Sequence, residues 1–419
     1  MQKKIPTNQL VPGMYTLKTD IHWRDNPYLY NAEGRVTSER IDKILSEGYL
    51  EVFIDPERTR PDFDNSAETV AASFGETVQD VEEEFEKPRT SLALEMDAAK
   101  NTYVEALEAS INFMDNIRRR DAVDLYKGKK LVENLMGSLA RNPDALLTLC
   151  KLRKADEYTY SHSVNVAVLA LAFARHMSYP RSVQFEVGMS GLFHDLGKAM
   201  IPIEILNAPR DLSESELVIL RRHPRLGYEY VKKTPGFTQE VLLGIYDHHE
   251  RFDGSGYPRA LKGDKISLAG RVISLVDVYD AISSRRPYKR AMLPHEVLRL
   301  MYQMRNTDFF PGFMEHFIRM LGIYPAGSVV EVSGGFIGVV TASNPSKPTK
   351  PKVLLVMDKQ GTYIQAGEVD TGVEDAPYIT RCLSEGESPI DPGKLLNINP
   401  DAPRTFNEQP PGSAGNHRR

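Results

Sequence analysis

A run of apolar residues near the middle of the chain, "VNVAVLALAFA" at 164–174, places the strongest constraint on the fold. At helical spacing this run is apolar on nearly every side, so a helix formed from it must be surrounded by other elements. The run is too short to cross a bilayer, which needs about 20 apolar residues. The sequence therefore predicts a helical bundle packed around this segment.

The sequence on either side extends this bundle. Residues 91–149 place apolar side chains at steps of three and four, which predicts a helical connector. The helical pattern continues through residues 150–325, which we assign to the bundle itself. The predicted fold class is mainly α, with a smaller unit at each end of the chain.

The ends of the chain have a different character. Residues 1–60 combine β-rich runs with one helical stretch, which predicts a small α+β unit, and residues 61–90 form an acidic linker. Residues 326–399 contain β-branched runs separated by glycine turns, which predicts a small β-rich unit. Residues 400–419 are rich in proline, asparagine and glycine, so we expect a disordered tail.

The charge balance and the cysteines limit the class of protein. The net charge of −5 provides no overall basic field to attract DNA, RNA or an anionic membrane. The start, "MQKKIPTNQLVPG", lacks the apolar core of a secretory signal. Cys150 and Cys382 are far apart and form no disulfide framework, which indicates a reducing compartment. We expect a cytoplasmic protein without membrane insertion.

Histidines concentrate in the region predicted to form the bundle. Four of the ten lie between 194 and 249, in "FHDLGK", "RRHPRLG" and "DHHERFDG", and His162 begins the buried helix. On a helix, His194 and Asp195 point about 100° apart, so the histidine can bind one cation while the two-oxygen carboxylate bridges to a second. Lys198 shares a helical face with Asp195 and can reach a phosphate there. Taken alone, this pair is also compatible with a capping aspartate beside a surface histidine.

Together these residues form two ligand sets on a helical scaffold. Taken singly, Asp277 is also compatible with a capping aspartate, and His223 with a surface residue before Pro224. Imidazole and carboxylate ligands suit Fe or Mn, with Zn or Ni as alternatives, and the lack of cysteine disfavours a thiolate zinc site. Two divalent cations ~3.5–4 Å apart suit phosphodiester hydrolysis. The first set is His162, His194, Asp195 and Asp277, and the second is His223, His248 and His249.

The motifs "HDLGKAMIPIEILNAPRDL", "HHERFDGSGYP" and "VDVYDAISSRRPYKRA" resemble the HD-GYP domain. This bacterial subgroup of the HD phosphohydrolases hydrolyses cyclic di-GMP. The resemblance implies a phosphodiesterase that yields linear pGpG, with Asp195 bridging two metals and Lys198 contacting the scissile phosphate. The N-terminal region is similar to a small domain of unknown function that often precedes HD-GYP domains.

The resemblance also implies substrate contacts. Arg286 and Lys289 match positions that contact substrate phosphate, although both are also compatible with solvated helix-end charges. Tyr257 either stacks on a guanine or packs against the core. Some family members hold a third metal with a glutamate one turn before the first histidine, where this chain has Tyr158. We therefore predict two metals and leave open whether pGpG is cut further to GMP.

A second hypothesis belongs to another class. The chain could be a catalytically weak signalling adaptor that binds the cyclic dinucleotide, a reading that the complete ligand sets disfavour. Apolar faces on the connector helices leave a homodimer open, and protein partners in cyclic di-GMP signalling are equally open.

Overall fold

The structure is a computed structural model, and the description is limited to part of the chain. The described residues are 3–7, 10, 14–19, 29–37, 40, 41, 43, 44, 49, 51–55, 90–152, 158–208, 210–283, 292–384 and 386–396. The predicted acidic linker, apart from residue 90, and the predicted disordered tail lie outside these residues.

The apolar run forms a helix that spans Tyr158–His176, and its residues 161–174 are all buried. The prediction of a bundle around this segment is confirmed, because helices surround it on all sides. Burial on every face explains why the run carries no polar stripe. The helices whose bounds are described are α1 Leu92–Arg119, α2 Leu125–Arg141, α3 Pro143–Lys151, α4 Tyr158–His176, α5 Arg181–Phe193, α6 Ile203–Leu206, α7 Glu214–Leu220, α8 His223–Val231, α9 Gln239–Asp247, α10 Leu268–Ser283, α11 Pro294–Gln303, α12 Phe313–Leu321 and α13 Pro392–Leu395.

The junction between α2 and α3 shows how local sequence sets the bundle geometry. Asn142 ends α2 in an extended conformation, and its side chain accepts from the backbone of Asp144. Pro143 occupies the first position of α3, where a missing N–H costs nothing. The chain therefore turns sharply, and both helices pack against α1.

Two small sheets flank the bundle. In the N-terminal unit, β1 Lys3–Pro6, β2 Tyr15–Thr16 and β4 Gly34–Arg35 join β5 Glu51–Ile54 in the order β1-β5-β2-β4, and β3 Leu29–Tyr30 pairs in parallel with β5. The strands of the C-terminal sheet are β6 Val329–Val332, β7 Phe336–Ala342, β8 Lys352–Met357, β9 Tyr363–Asp370 and β10 Ile379–Leu383. This sheet is antiparallel throughout, in the order β10-β6-β7-β8-β9.

The core follows the same division. One continuous apolar cluster runs from Met96 in α1 to Leu321 in α12, whereas the sheets have smaller clusters of their own. The predicted fold class, mainly α with a small α+β unit and a small β-rich unit, is confirmed. Within the described residues, no helix combines the length and apolarity that a bilayer crossing requires.

Candidate metal centre

The bundle brings the predicted ligands to one place, although they come from five different segments. His162 lies on α4, His223 begins α8, and Asp277 lies on α10. The other four stand just after helix ends, two beyond α5 and two beyond α9. His249 is the most exposed of the seven, with 20% of its side chain accessible. The seven converging residues are His162, His194, Asp195, His223, His248, His249 and Asp277.

Asp195 stands between two groups of histidines. Its Oδ2 lies 3.6 Å from Nε2 of His162 and 3.3 Å from Nε2 of His194. Its Oδ1 lies 3.3 Å from Nε2 of His223 and 3.9 Å from Nε2 of His248. Each carboxylate oxygen therefore faces a different group, which is the geometry that a bridging ligand requires.

The first group, the acidic half-site, consists of His162, His194 and Asp277, whose ligand atoms lie within 4.8 Å of one another. Nε2 of His162 is 3.0 Å from Oδ1 of Asp277, and its Nδ1 donates to Oδ2 of Asp280 at 2.8 Å. Burial disfavours the charged imidazole, but Asp277 and Asp280 outweigh it and raise the pKa of His162 to about 10. Two carboxylates thus concentrate negative charge in this half-site.

The second group, the imidazole half-site, consists of His223, His248 and His249. Nδ1 of His223 lies 2.8 Å from the carbonyl of Leu220, and Nδ1 of His248 lies 2.8 Å from that of Ile245. Because a carbonyl only accepts, each Nδ1 must carry the proton, which leaves Nε2 with an open lone pair. Both Nε2 atoms therefore have the form that binds a metal.

These lone pairs indicate a cation. Nε2 of His223 lies 3.2 Å from Nε2 of His248, so two acceptors face one another at hydrogen-bond distance without a proton to share. Two nitrogens, each about 2.1 Å from one cation and separated by ~90–100°, would be ~3.0–3.2 Å apart. His194 has the same form, since its Nδ1 donates to Gly191, and among the described residues its Nε2 has no hydrogen-bond partner. The ligand atoms of these residues therefore fit a divalent metal ion.

The protonation states agree with this role. Burial lowers the pKa of His223, and it lowers the pKa of His249 to about 3. Burial also holds the pKa of His248 well below its usual value, with a further contribution from the neighbouring imidazoles. For Asp195, burial opposes ionisation, but His194 and Lys198 hold the pKa well below its ordinary value. At neutral pH the imidazole half-site thus offers neutral imidazoles and Asp195 an ionised carboxylate, the forms that ligate.

The "HDLGK" motif departs from the helix that the sequence predicts. Helix α5 ends at Phe193, and residues 196–200 form a 3₁₀ segment. The expected proximity of Lys198 and Asp195 is nevertheless present, because Nζ of Lys198 lies 2.6 Å from Oδ2 of Asp195. The 3₁₀ segment packs on the start of α8, where a Cβ on Gly197 would lie 1.9 Å from the carbonyl oxygen of His223. Only glycine fits at this contact, which brings the two half-sites together.

The loop after His249 folds back over the imidazole half-site. The ring of Tyr257 stacks on His249 with centroids 4.7 Å apart, and the guanidinium of Arg221 lies over the tyrosine ring at 5.6 Å. Glu250 accepts from the backbone of Arg259 at 2.7 Å and of Leu261 at 2.9 Å. Glu250 therefore fixes the loop.

The comparisons with known proteins agree with this geometry. Residues 145–311 match the family described as the HD domain, residues 2–127 a domain of unknown function (DUF3391), and residues 329–389 a KOW domain associated with the HD domain. The chain is 33% identical over 354 residues to cyclic di-GMP phosphodiesterase PA4108 of Pseudomonas aeruginosa, covering 84% of both proteins. This chain belongs to the HD-GYP family. The resemblance seen in its motifs is thereby confirmed.

Other relatives match a shorter part of the chain. The cyclic di-GMP phosphodiesterase response regulator RpfG of Xanthomonas campestris is 35% identical over 177 residues, which cover 41% of this chain and 47% of RpfG. The 3′3′-cGAMP-specific phosphodiesterase 1 of Vibrio cholerae is 38% identical over 146 residues, covering 35% of this chain and 33% of that protein. The similar proteins are thus named for two cyclic dinucleotides.

Some predicted residues lie outside the described part of the chain. Arg286 and Lys289 fall in residues 284–291, and at position 158 only the backbone is described. The contacts predicted for these side chains remain predictions.

The structure adds residues that the sequence analysis missed. Asp280 orients His162, and Asn165 donates to Oδ1 of Asp280 at 2.9 Å. Each lies three residues from a predicted ligand on the same helix, after Asp277 and His162 respectively. That spacing places both residues on the same helix face as the predicted ligands, and it is the sequence pattern from which they could have been predicted. Gly197 carried no comparable signal, since its role depends on a contact with α8.

Proposed function

We propose that the protein is a metal-dependent phosphodiesterase that hydrolyses cyclic di-GMP to linear pGpG. The single observation that carries this proposal is the placement of Asp195, with one oxygen toward each group of histidines. The chain is also similar over most of its length to PA4108, a protein named for the same activity.

The residues divide between two cation sites. His162, His194 and Asp277 would hold one cation and His223, His248 and His249 the other, with Asp195 shared between them. We infer Fe or Mn, since imidazole and carboxylate ligands suit these metals, with Zn or Ni as alternatives. When bound, such a pair supplies positive charge for the phosphodiester and activates water for attack.

The remaining side chains would bind and orient the substrate. The ammonium group of Lys198 lies against Asp195, and its side chain is 27% exposed, so a phosphate in solvent could reach it. We propose that Lys198 contacts the scissile phosphate and that Arg286 and Lys289 offset the second negative charge. Tyr257 stacks on His249 of the imidazole half-site, and we propose that it contacts a guanine base of the substrate. In-line attack with departure of the 3′-oxygen would yield pGpG.

The test is direct hydrolysis. Purified protein loaded with Mn²⁺ or Fe²⁺ is incubated with cyclic di-GMP, and the products are separated by chromatography. We expect pGpG from the wild type and none from Asp195→Ala, which removes the shared carboxylate. Equal activity of the two proteins would rule out the proposed mechanism.

Two alternatives are decided by the same assay. The similarity to the Vibrio cholerae enzyme favours 3′3′-cGAMP as a second candidate substrate. Faster hydrolysis of 3′3′-cGAMP than of cyclic di-GMP would support that candidate. Metal binding without hydrolysis of either dinucleotide would instead support the signalling adaptor. A homodimer and protein partners remain predictions.

A further inference from the structure

A chain of buried hydrogen bonds joins the connector helix α1 to the acidic half-site. The hydroxyl of Tyr103 donates to Oδ1 of Asn165 at 2.6 Å, and Nδ2 of Asn165 donates to Oδ1 of Asp280 at 2.9 Å. Oδ2 of Asp280 accepts from Nδ1 of His162 at 2.8 Å. All four side chains are buried, with relative exposures of 6% or less.

The chemistry of the four side chains fixes which group donates and which accepts in each of these hydrogen bonds. An ionised carboxylate only accepts hydrogen bonds, so Asp280 must accept one from His162 and one from Asn165. The amide of Asn165 therefore presents its NH₂ group to Asp280 and its oxygen to Tyr103, and the phenol must donate. Removing the hydroxyl of Tyr103 would leave the buried amide oxygen of Asn165 without this donor. Asn165 would then be held less firmly in the position from which it donates to Asp280.

This series of hydrogen bonds connects residues that match two different family models. Tyr103 lies on α1, within the residues that match the domain of unknown function, whereas the other three residues lie within the HD domain match. A second contact follows the same route, since Phe113 of α1 packs on Phe193 with ring centroids 5.1 Å apart. Phe193 directly precedes His194, so α1 contacts residues that position both histidines of the acidic half-site.

We propose that Tyr103 is a positioning residue for His162, through which the connector helix α1 contributes to the metal centre. Carboxylate partners fix the tautomer and orientation of a ligating histidine, and their loss typically costs ~10–100-fold in metal affinity or activity. Tyr103 is two hydrogen bonds further from the metal centre than Asp280, so its effect on metal affinity should be smaller. This inference rests on the proposed metal centre.

The test is a comparison of Tyr103→Phe with Tyr230→Phe. The control also removes a tyrosine hydroxyl that links the bundle to the end of α1, where Tyr230 bonds the carbonyl of Asp121, but it lies away from the ligands. Calorimetric titration with Mn²⁺ alone should show roughly 3–10-fold weaker binding at one site in Tyr103→Phe. Wild-type affinity should be retained in Tyr230→Phe. Unchanged Mn²⁺ binding in Tyr103→Phe would overturn the proposal.

A double-mutant cycle tests whether Tyr103 acts through Asp280. If it does, adding Tyr103→Phe to Asp280→Asn should weaken Mn²⁺ binding no further, because the relay is already broken. Fully additive losses would contradict the relay. In cyclic di-GMP hydrolysis, Tyr103→Phe should lower kcat and leave KM unchanged, since no substrate contact is removed. A wild type that binds Mn²⁺ but leaves cyclic di-GMP intact would refute the proposed function while the titrations still decide this inference.

Discussion

His162 of the acidic half-site is held by different chemistry from His223 and His248 of the imidazole half-site. In the acidic half-site, His162 is held between Asp277 and Asp280, and its pKa is raised. In the imidazole half-site, His223 and His248 are held by backbone carbonyls, and burial lowers their pKa values. Charge therefore stabilises a cation in the first half, whereas precise backbone placement of neutral lone pairs does so in the second.

Removing one ligand from each half should give unequal losses. Asp277→Ala removes the charged ligand of the acidic half-site, and we expect cyclic di-GMP turnover to fall more than about 100-fold, beyond the cost of losing a supporting partner. His249→Ala removes a neutral, partly exposed ligand and leaves His223 and His248 in place, so its loss should be smaller. Initial rates with Mn²⁺ measure both. A larger loss in His249→Ala would reverse the comparison.

Gly197→Ala tests whether the halves must be held together. An added methyl group would overlap the carbonyl of His223, and the 3₁₀ segment would have to move away from α8. We expect destabilisation of about 1–3 kcal/mol, with weaker Mn²⁺ binding. Gly137→Ala is the matched control, because its Cβ would meet nothing nearer than the side chain of Arg141 at 3.6 Å. Thermal unfolding and calorimetry compare the two, and wild-type behaviour of Gly197→Ala would refute this role.

Asp280→Asn sharpens the comparison further, because a carboxylate lies behind His162, whereas backbone carbonyls lie behind His223 and His248. We expect about 10–100-fold weaker Mn²⁺ binding at one of two sites. The imidazole half-site, whose His223 and His248 are anchored by the backbone, should keep its affinity. Two-site titration distinguishes these effects, and equal weakening of both sites would show that the halves are not independent.

The metal-free protein should respond to pH in opposite directions at the two halves. Unfolded histidine has a pKa near 6.5, whereas that of His249 is about 3 in the fold. Unfolding therefore takes up protons, and this contribution to stability is lost as the pH falls from 6.5 toward 3. For His162, with a pKa of about 10, the contribution is complete below 6.5 and is lost as the pH rises toward 10.

Urea unfolding of the metal-free protein at pH 5, 7 and 9 measures both effects. We expect roughly 1–2 kcal/mol less stability per buried neutral histidine at pH 5 than at pH 7. His249→Gln should reduce that loss, and Asp280→Asn should reduce the loss at pH 9. If the stability lost at pH 5 is the same in His249→Gln as in the wild type, the acid sensitivity comes from groups other than His249.

The sequence predicted the parts of this molecule that depend on local pattern. The all-round apolar run at 164–174 indicated a central helix, and the motifs led to seven residues that the bundle brings together. The 3₁₀ segment after Asp195 was not predicted, because it is stabilised by a tertiary contact with α8. Tyr103 lies 59 positions before His162, so no local spacing relates it to the site.

Metal content per chain tests the central claim most directly. Wild-type protein and Asp195→Ala are saturated with Mn²⁺, freed of excess ions, and analysed by elemental mass spectrometry. With Asp195 shared by both half-sites, we predict two ions per wild-type chain and at most one in Asp195→Ala. A wild type with a single ion, or an Asp195→Ala variant that still holds two, would contradict a centre bridged by this carboxylate.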